Sequence, residues 1–202
     1  MELPFLVAVT DLERWSAERM VSVFRGLAER AAPGKLGVQL RGPGQPARCL
    51  LELGRALASV ARDHGHWLIV NDRLDLALEL DAPGVHLPER GVSAEDARRI
   101  CPNSRVFRAC HSVSGAAGLG ADAVVLSPIA AARKGRPALG ADGIVACVRA
   151  LREAGETTAV YALGGIEPAG VDAWRAAGAA GFLAMESVFG AVDPGAWLAV
   201  LP

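Results

Sequence analysis

The stretch Ala159-Val160-Tyr161-Ala162-Leu163-Gly164-Gly165-Ile166-Glu167-Pro168 holds an apolar run, a glycine pair and a helix start in immediate succession. The run has the composition of a buried strand. The glycines permit a tight turn in a backbone region other residues avoid. Proline near the first turn of a helix removes an N–H that would have no intrahelical partner anyway. Strand, turn and helix in that order form half of a βαβ unit. The same order recurs on both sides of this stretch, along the whole chain. Aliphatic runs occupy 5–10, 37–41, 67–72, 84–87, 105–112, 123–129, 159–165 and 181–187, and helical spacing occupies 16–31, 46–63, 73–80, 93–100, 114–118, 142–154, 168–177 and 194–200. Strands alternating with helices predict a parallel sheet. Eight such units predict an α/β protein, a single (β/α)8 TIM barrel with parallel strands spanning 1–202. An open doubly wound sheet would more often use about five or six strands.

Composition narrows the function classes. The chain is 51% hydrophobic but only 5% aromatic, so aliphatic side chains must fill its core. A formal charge of -1 and the lack of a basic stripe argue against nucleic acid as the main ligand. No apolar run approaches the roughly 18 residues of a membrane span, and the start lacks a basic leader. Cys49, Cys101, Cys110 and Cys147 form no CxxC pair and read as reduced thiols. The expectation is a soluble, cytoplasmic protein with no membrane partner, and homo-oligomer formation stays open.

A barrel of this type works at the C-terminal ends of its strands. The polar residues at those ends are Thr10, Asp11, Gln39, Arg41, Asn71, Asp72, His86, His111, Ser112, Ser127, Glu186 and Ser187, with Gly164 and Gly165 closing the seventh run. Residues two apart on a strand share a face, so Gln39 and Arg41 point together into the mouth. The glycine pair suits phosphate, because its N–H groups approach an anion closely beside a helix start. Asp72 also fits the position of a helix cap. His86 reads equally well as a buried histidine. His111 is the strand-end histidine suited to moving a proton near neutral pH, since His64 and His66 flank a turn read as surface. Cys110 should point away from it, toward the helices. Glu186 reads as an ion-pair partner of Arg41 or Lys134, or as a second proton-transfer group. Arg133, Lys134 and Arg136 lie on the longest break after a strand, where they form either a flap over an anion or an ordinary solvated loop.

The segments Val38-Gln39-Leu40-Arg41, Val70-Asn71-Asp72-Arg73, Gly84-Val85-His86-Leu87, Cys110-His111-Ser112, Ser127-Pro128-Ile129 and Ala162-Leu163-Gly164-Gly165-Ile166 occur in the order that resembles the thiamine phosphate synthase/TenI superfamily. The resemblance runs from the second strand to the eighth and implies a (β/α)8 barrel. It implies one of two activities. A synthase joins an aminopyrimidine diphosphate to a thiazole phosphate with Mg2+. A TenI-like thiazole tautomerase, an isomerase, aromatises a thiazole carboxylate phosphate by proton transfer from a fifth-strand histidine. The chain departs from the synthase pattern. Pro43 stands where the second-strand lysine is expected, and Pro88-Glu89-Arg90-Gly91 replaces a run ending in a magnesium-binding aspartate. Ala130-Ala131-Ala132-Arg133-Lys134 replaces a diphosphate clamp.

The resemblance therefore implies a cofactor-free tautomerase in thiamine biosynthesis, with Mg2+ required only in the synthase alternative. His111 would be catalytic. Gln39, Arg41, Asn71, Asp72, Ser127 and Lys134 would bind substrate, and Gly164, Gly165, Glu186 and Ser187 the phosphate. The partner would be a small phosphorylated heterocycle, thiazole phosphate, with no metal held by the chain. A non-catalytic regulatory barrel that binds a phosphorylated ligand is the third reading.

Overall fold

The computed structural model describes residues 2–133 and 135–202. Its strands are β1 (Leu6–Val9), β2 (Leu36–Leu40), β3 (Trp67–Asn71), β4 (Gly84–Leu87), β5 (Arg105–Cys110), β6 (Ala123–Leu126), β7 (Ala159–Leu163) and β8 (Gly181–Ala184). Each pairs in parallel with the next, and β8 returns to β1 through Leu6↔Phe182, so the sheet closes into a barrel. The helices are α1 (Ala17–Ala28), α2 (Ala47–Asp63), α3 (Leu74–Glu79), α4 (Ala94–Ile100), α5 (Gly140–Glu153) and α6 (Val171–Ala176). A 3-10 turn at Val113–Gly115 stands where a helix over 114–118 was expected, and Pro194–Val200 is also 3-10.

Two apolar layers hold the barrel, because alternate residues of each strand face opposite ways. Val7, Val9, Trp67, Ile69, Phe107, Ala123, Val125, Tyr161 and Leu183 fill the inside. Val38, Leu40, Val70, Val85, Val106, Cys110, Leu126 and Ala162 face the helices. Both faces are thus apolar, which explains the near-continuous aliphatic runs. Cys110 lies on the helix side, as alternation predicts. Tyr161 plugs the lower end and donates to the Pro4 carbonyl at 2.6 Å. Its ring lies where a Cβ on Gly181 would sit, 2.3 Å from Cε1, so β8 must begin with glycine.

The helices start and stop on local signals. Ser16 caps α1 by accepting from the Arg19 N–H at 3.3 Å, and Ser93 caps α4 by accepting from the Asp96 N–H at 3.0 Å. Gly120 (φ 61°) and Gly178 (φ 105°) make left-handed turns leading into β6 and β8.

Three further expectations fail in detail. Most of the aliphatic runs outlast their strands, since the polar residues closing them leave the ladder. Asp72 does not cap α3: the cap position is Arg73, without a side-chain bond, while Asp72 itself has φ 64°. His66 is buried rather than on a surface turn, its Nε2 bonded to the Ala28 carbonyl at 3.2 Å.

Candidate functional site

Above the apolar plug, the inward positions become polar and a cavity of about 350 Å3 opens at the C-terminal ends of the strands. Gln39, Arg41, Asn71, His86, His111 and Ser127 line it, together with Arg133, Arg136 and Gly164. Val9, Pro88, Ala109, Pro128, Leu163 and Met185 supply its apolar wall. Strand ends from most of the barrel thus meet in one mouth, although the residues are scattered in sequence.

Its floor is a directional chain of side chains. Gln39 Nε2 donates to Asn71 Oδ1 at 2.9 Å, which turns Gln39 Oε1 toward His86 Nδ1 at 3.1 Å. An amide oxygen only accepts, so His86 carries its hydrogen on Nδ1 and offers a lone pair at Nε2. That Nε2 is buried and has no partner among the described residues. Burial, reinforced by the Arg41 charge and by repulsion from a protonated His111, holds His86 down to about 4. His86 is therefore neutral at pH 7.

His111 is oriented by the same reasoning. Its Nδ1 lies 3.0 Å from the Ser127 carbonyl oxygen and 3.0 Å from Ser127 Oγ. The carbonyl can only accept, so the ring hydrogen is on Nδ1 and the Nε2 lone pair is available as a base. The His111 backbone N–H donates to a Glu89 carboxylate oxygen at 3.2 Å. Ring and backbone are both fixed.

Arg41 is anchored through its backbone. Thr10 Oγ1 accepts from the Arg41 N–H at 2.8 Å and donates to the Arg41 carbonyl at 2.8 Å. Arg133 and Arg136 pair backbone to backbone at 3.0 Å in both directions, which forms a tight turn at the rim. Lys134 lies outside the described residues. The glycine turn that follows β7 has φ 105° at Gly164 and 74° at Gly165. A Cβ on Gly164 would meet Pro128 Cα at 3.1 Å, and one on Gly165 would meet Ala131 Cβ at 3.1 Å. Hydrogen bonds from Ile129 N to Leu163 O (3.0 Å) and Ala130 N to Gly164 O (2.8 Å) fasten the β6 loop to this turn.

Ser187 is buried beside the turn, and its Oγ donates to the Ile166 carbonyl at 2.7 Å. Glu186 pairs its carboxylate with Arg14 rather than with Arg41, and among the described residues it does not line the cavity. The chain after β8 has already turned into a π-helical loop, Glu186–Gly190, which carries that carboxylate away from the mouth. Asp72 is exposed and likewise absent from the lining.

The magnesium ion that the resemblance implies for a synthase needs several oxygen ligands, carboxylates among them. Among the described residues no carboxylate lines the cavity, and no three His, Cys, Asp or Glu side chains converge. Glu89 is engaged with His111, and three guanidinium groups surround the opening. These residues do not fit a magnesium site.

Sequence reasoning missed two features here: the Gln39–His86 contact and the Glu89 link to His111. Alternation along β4 places Gly84 and His86 on the inner face, which was the available signal for His86. The sequence marked Glu89 only as part of the run that departs from the synthase pattern.

Fold and mouth together define a class: a (β/α)8 barrel whose polar strand ends enclose a small-molecule cavity. The family model for thiamine monophosphate synthase matches residues 6–188. A putative thiamine-phosphate synthase of Geobacter sulfurreducens is 35% identical, covering 98% of this chain and 94% of its own. The thiamine-phosphate synthase of Moorella thermoacetica is 36% identical, over 80% of this chain and 78% of its own. The structure of thiamine phosphate pyrophosphorylase from Pyrococcus furiosus superposes with a TM-score of 0.78 at 25% identity, covering 97% of this chain and 92% of that one. The chain belongs to the thiamine phosphate synthase/TenI superfamily.

Proposed function

We propose that this chain is a thiamine-biosynthesis enzyme that catalyses proton transfer on a phosphorylated thiazole carboxylate, converting a non-aromatic tautomer to the aromatic ring. The observation that carries the reading is His111, held by Ser127 with Nδ1 protonated and Nε2 free at the cavity mouth. Nε2 removes a proton from one ring carbon as the C–H bonding pair enters the conjugated system. The imidazolium then returns the proton to a second carbon, so the net change is an isomerisation without an added cofactor. The phosphate is held at the Gly164–Gly165 turn, whose N–H groups have no partner among the described residues. Arg41, Arg133 and Arg136 neutralise phosphate and carboxylate, and Asn71 and Gln39 orient the ring.

A second reading, thiamine-phosphate synthase, draws on the names of the relatives in Geobacter and Moorella. A leaving pyrophosphate needs strong electrostatic stabilisation, which Arg133 and Arg136 would have to supply here. Parallel assays separate the two. Conversion of the thiazole carboxylate phosphate tautomer, followed by NMR, should be accelerated by the wild type and largely lost in His111→Ala. Magnesium-dependent pyrophosphate release from the aminopyrimidine diphosphate and thiazole phosphate, with no tautomer conversion, would replace this reading with the synthase. Tight thiazole phosphate binding with neither turnover would leave a regulatory barrel.

A further inference from the structure

One buried charge in this molecule has no place in the chemistry above. Arg108 sits on the outer face of β5 and is only 8% exposed. A buried guanidinium loses much hydration and normally has a carboxylate partner. Among the described residues Arg108 has none. Its guanidinium instead donates to three backbone carbonyls of the loop after β4: Glu89 at 3.0 Å, Gly91 at 3.5 Å, and Val92. The planar fork of arginine spreads five N–H donors in a fixed geometry over separated acceptors, whereas a lysine ammonium gathers three donors at a single point.

The loop so gripped is a tight one. Gly91 N–H donates to the Pro88 carbonyl at 2.9 Å, and a Cβ on Gly91 would meet Pro88 Cγ at 2.8 Å. Its first two residues face the site: Pro88 forms part of the cavity wall, and the Glu89 carboxylate accepts from the His111 N–H. β4 and β5 are adjacent, with Leu87 opposite Arg108, so a side chain from β5 reaches this loop directly.

We infer that Arg108 and Glu89 form a positioning clamp for His111, in which Arg108 fixes the loop after β4 and Glu89 transmits that fixation to the His111 backbone. This rests on the reading of His111 as the proton-transfer group. Ser127 sets the direction of the ring, and the clamp sets the height of the strand end that carries it. Neither Arg108 nor Glu89 touches the reacting atoms. The loop region where the resemblance expected a magnesium-binding carboxylate thus serves here as a mechanical support.

Native-state hydrogen exchange on the full chain tests this without depending on turnover. In Arg108→Met and in Glu89→Ala the His111 amide should exchange about 10-fold faster, the loss of one hydrogen bond. The double variant should exchange no faster than the faster single, because both residues act through one linkage. Glu89→Gln keeps an acceptor oxygen and should restore protection. Should Arg108→Met fail to fold, Arg108→Lys, with the charge but not the fork, should give intermediate exchange, and Glu89→Ala still reports the link. In the tautomer assay the clamp variants should lose about 10- to 100-fold in kcat with KM unchanged, the signature of a displaced catalytic group. His111 protection unchanged in folded Glu89→Ala or Arg108→Met, or effects that multiply in the double variant, would overturn the clamp. Altered exchange with no turnover in any protein would keep the clamp and reject the proton-transfer reading.

Discussion

His86 and His111 are both strand-end histidines, yet their surroundings divide their work. His111 is half-buried with its base nitrogen at the mouth, whereas His86 is buried and neutral. Replacing His111 by Ala should reduce tautomer conversion by about 10²- to 10⁴-fold, the usual contribution of a general acid–base group. Ser127→Ala should lose far less, since the Ser127 carbonyl still fixes Nδ1; a loss equal to that of His111→Ala would contradict this assignment. For His86, burial and two neighbouring charges lower the folded value to about 4, against about 6.5 in an unfolded chain. Between those values the unfolded state binds a proton that the folded state refuses. His86 therefore leaves stability at its full value above about pH 6.5 and removes some of it as pH falls toward 4. Urea unfolding at pH 7 and pH 4.5 should show this decline in the wild type and a smaller one in His86→Gln. An equal decline in both would contradict the account. His111 was legible in the sequence as a polar residue closing an aliphatic run. The side-chain bonds of His86 were not, because they join residues 47 positions apart.

At the scale of elements, the β7 turn and the β6 loop act as one unit. Left-handed φ at Gly165 and contact with Ala131 mean that Gly165→Ala should destabilise the fold by about 1–2 kcal/mol, measurable by chemical denaturation. It should also weaken binding of a phosphorylated ligand; unchanged affinity for thiazole phosphate would place the phosphate elsewhere. On the same loop, Arg133→Ala and Arg136→Ala should each weaken that binding about 10-fold at low salt, in line with loss of one charge-assisted hydrogen bond. The effect should shrink at high ionic strength. Calorimetric titrations in dilute and concentrated salt check this, and a salt-independent loss would point to packing instead. The strand–glycine–helix order around 159–168 was readable because each part has its own local chemistry. The ends of the strands were not, since the inward polar residues continue the aliphatic pattern after the ladder stops. Glu186 shows the same limit: its spacing fits an eighth strand, but the π-helical turn redirects it to Arg14.

For the whole molecule, eight repeated units specified the barrel, because parallel strands buried on both faces leave a strong aliphatic signature. The mouth is a tertiary product. Its donors and acceptors come from β2, β3, β4, β5, β6 and β7, and only closure of the sheet brings them within one cavity. The asymmetry of that mouth explains the proposed chemistry: cations surround it, its lining carries no carboxylate among the described residues, and of its two imidazoles His86 is buried while His111 is the less buried one. Such a site suits an anionic ring that must exchange a proton more than a diphosphate that must leave with a metal. A crystal structure with thiazole phosphate bound tests this most directly. The phosphate should lie on the Gly164–Gly165 turn, with a ring carbon within about 3.5 Å of His111 Nε2, the reach of a near-attack geometry. A ligand bound with its phosphate away from that turn, or with its ring beyond the reach of His111, would contradict it.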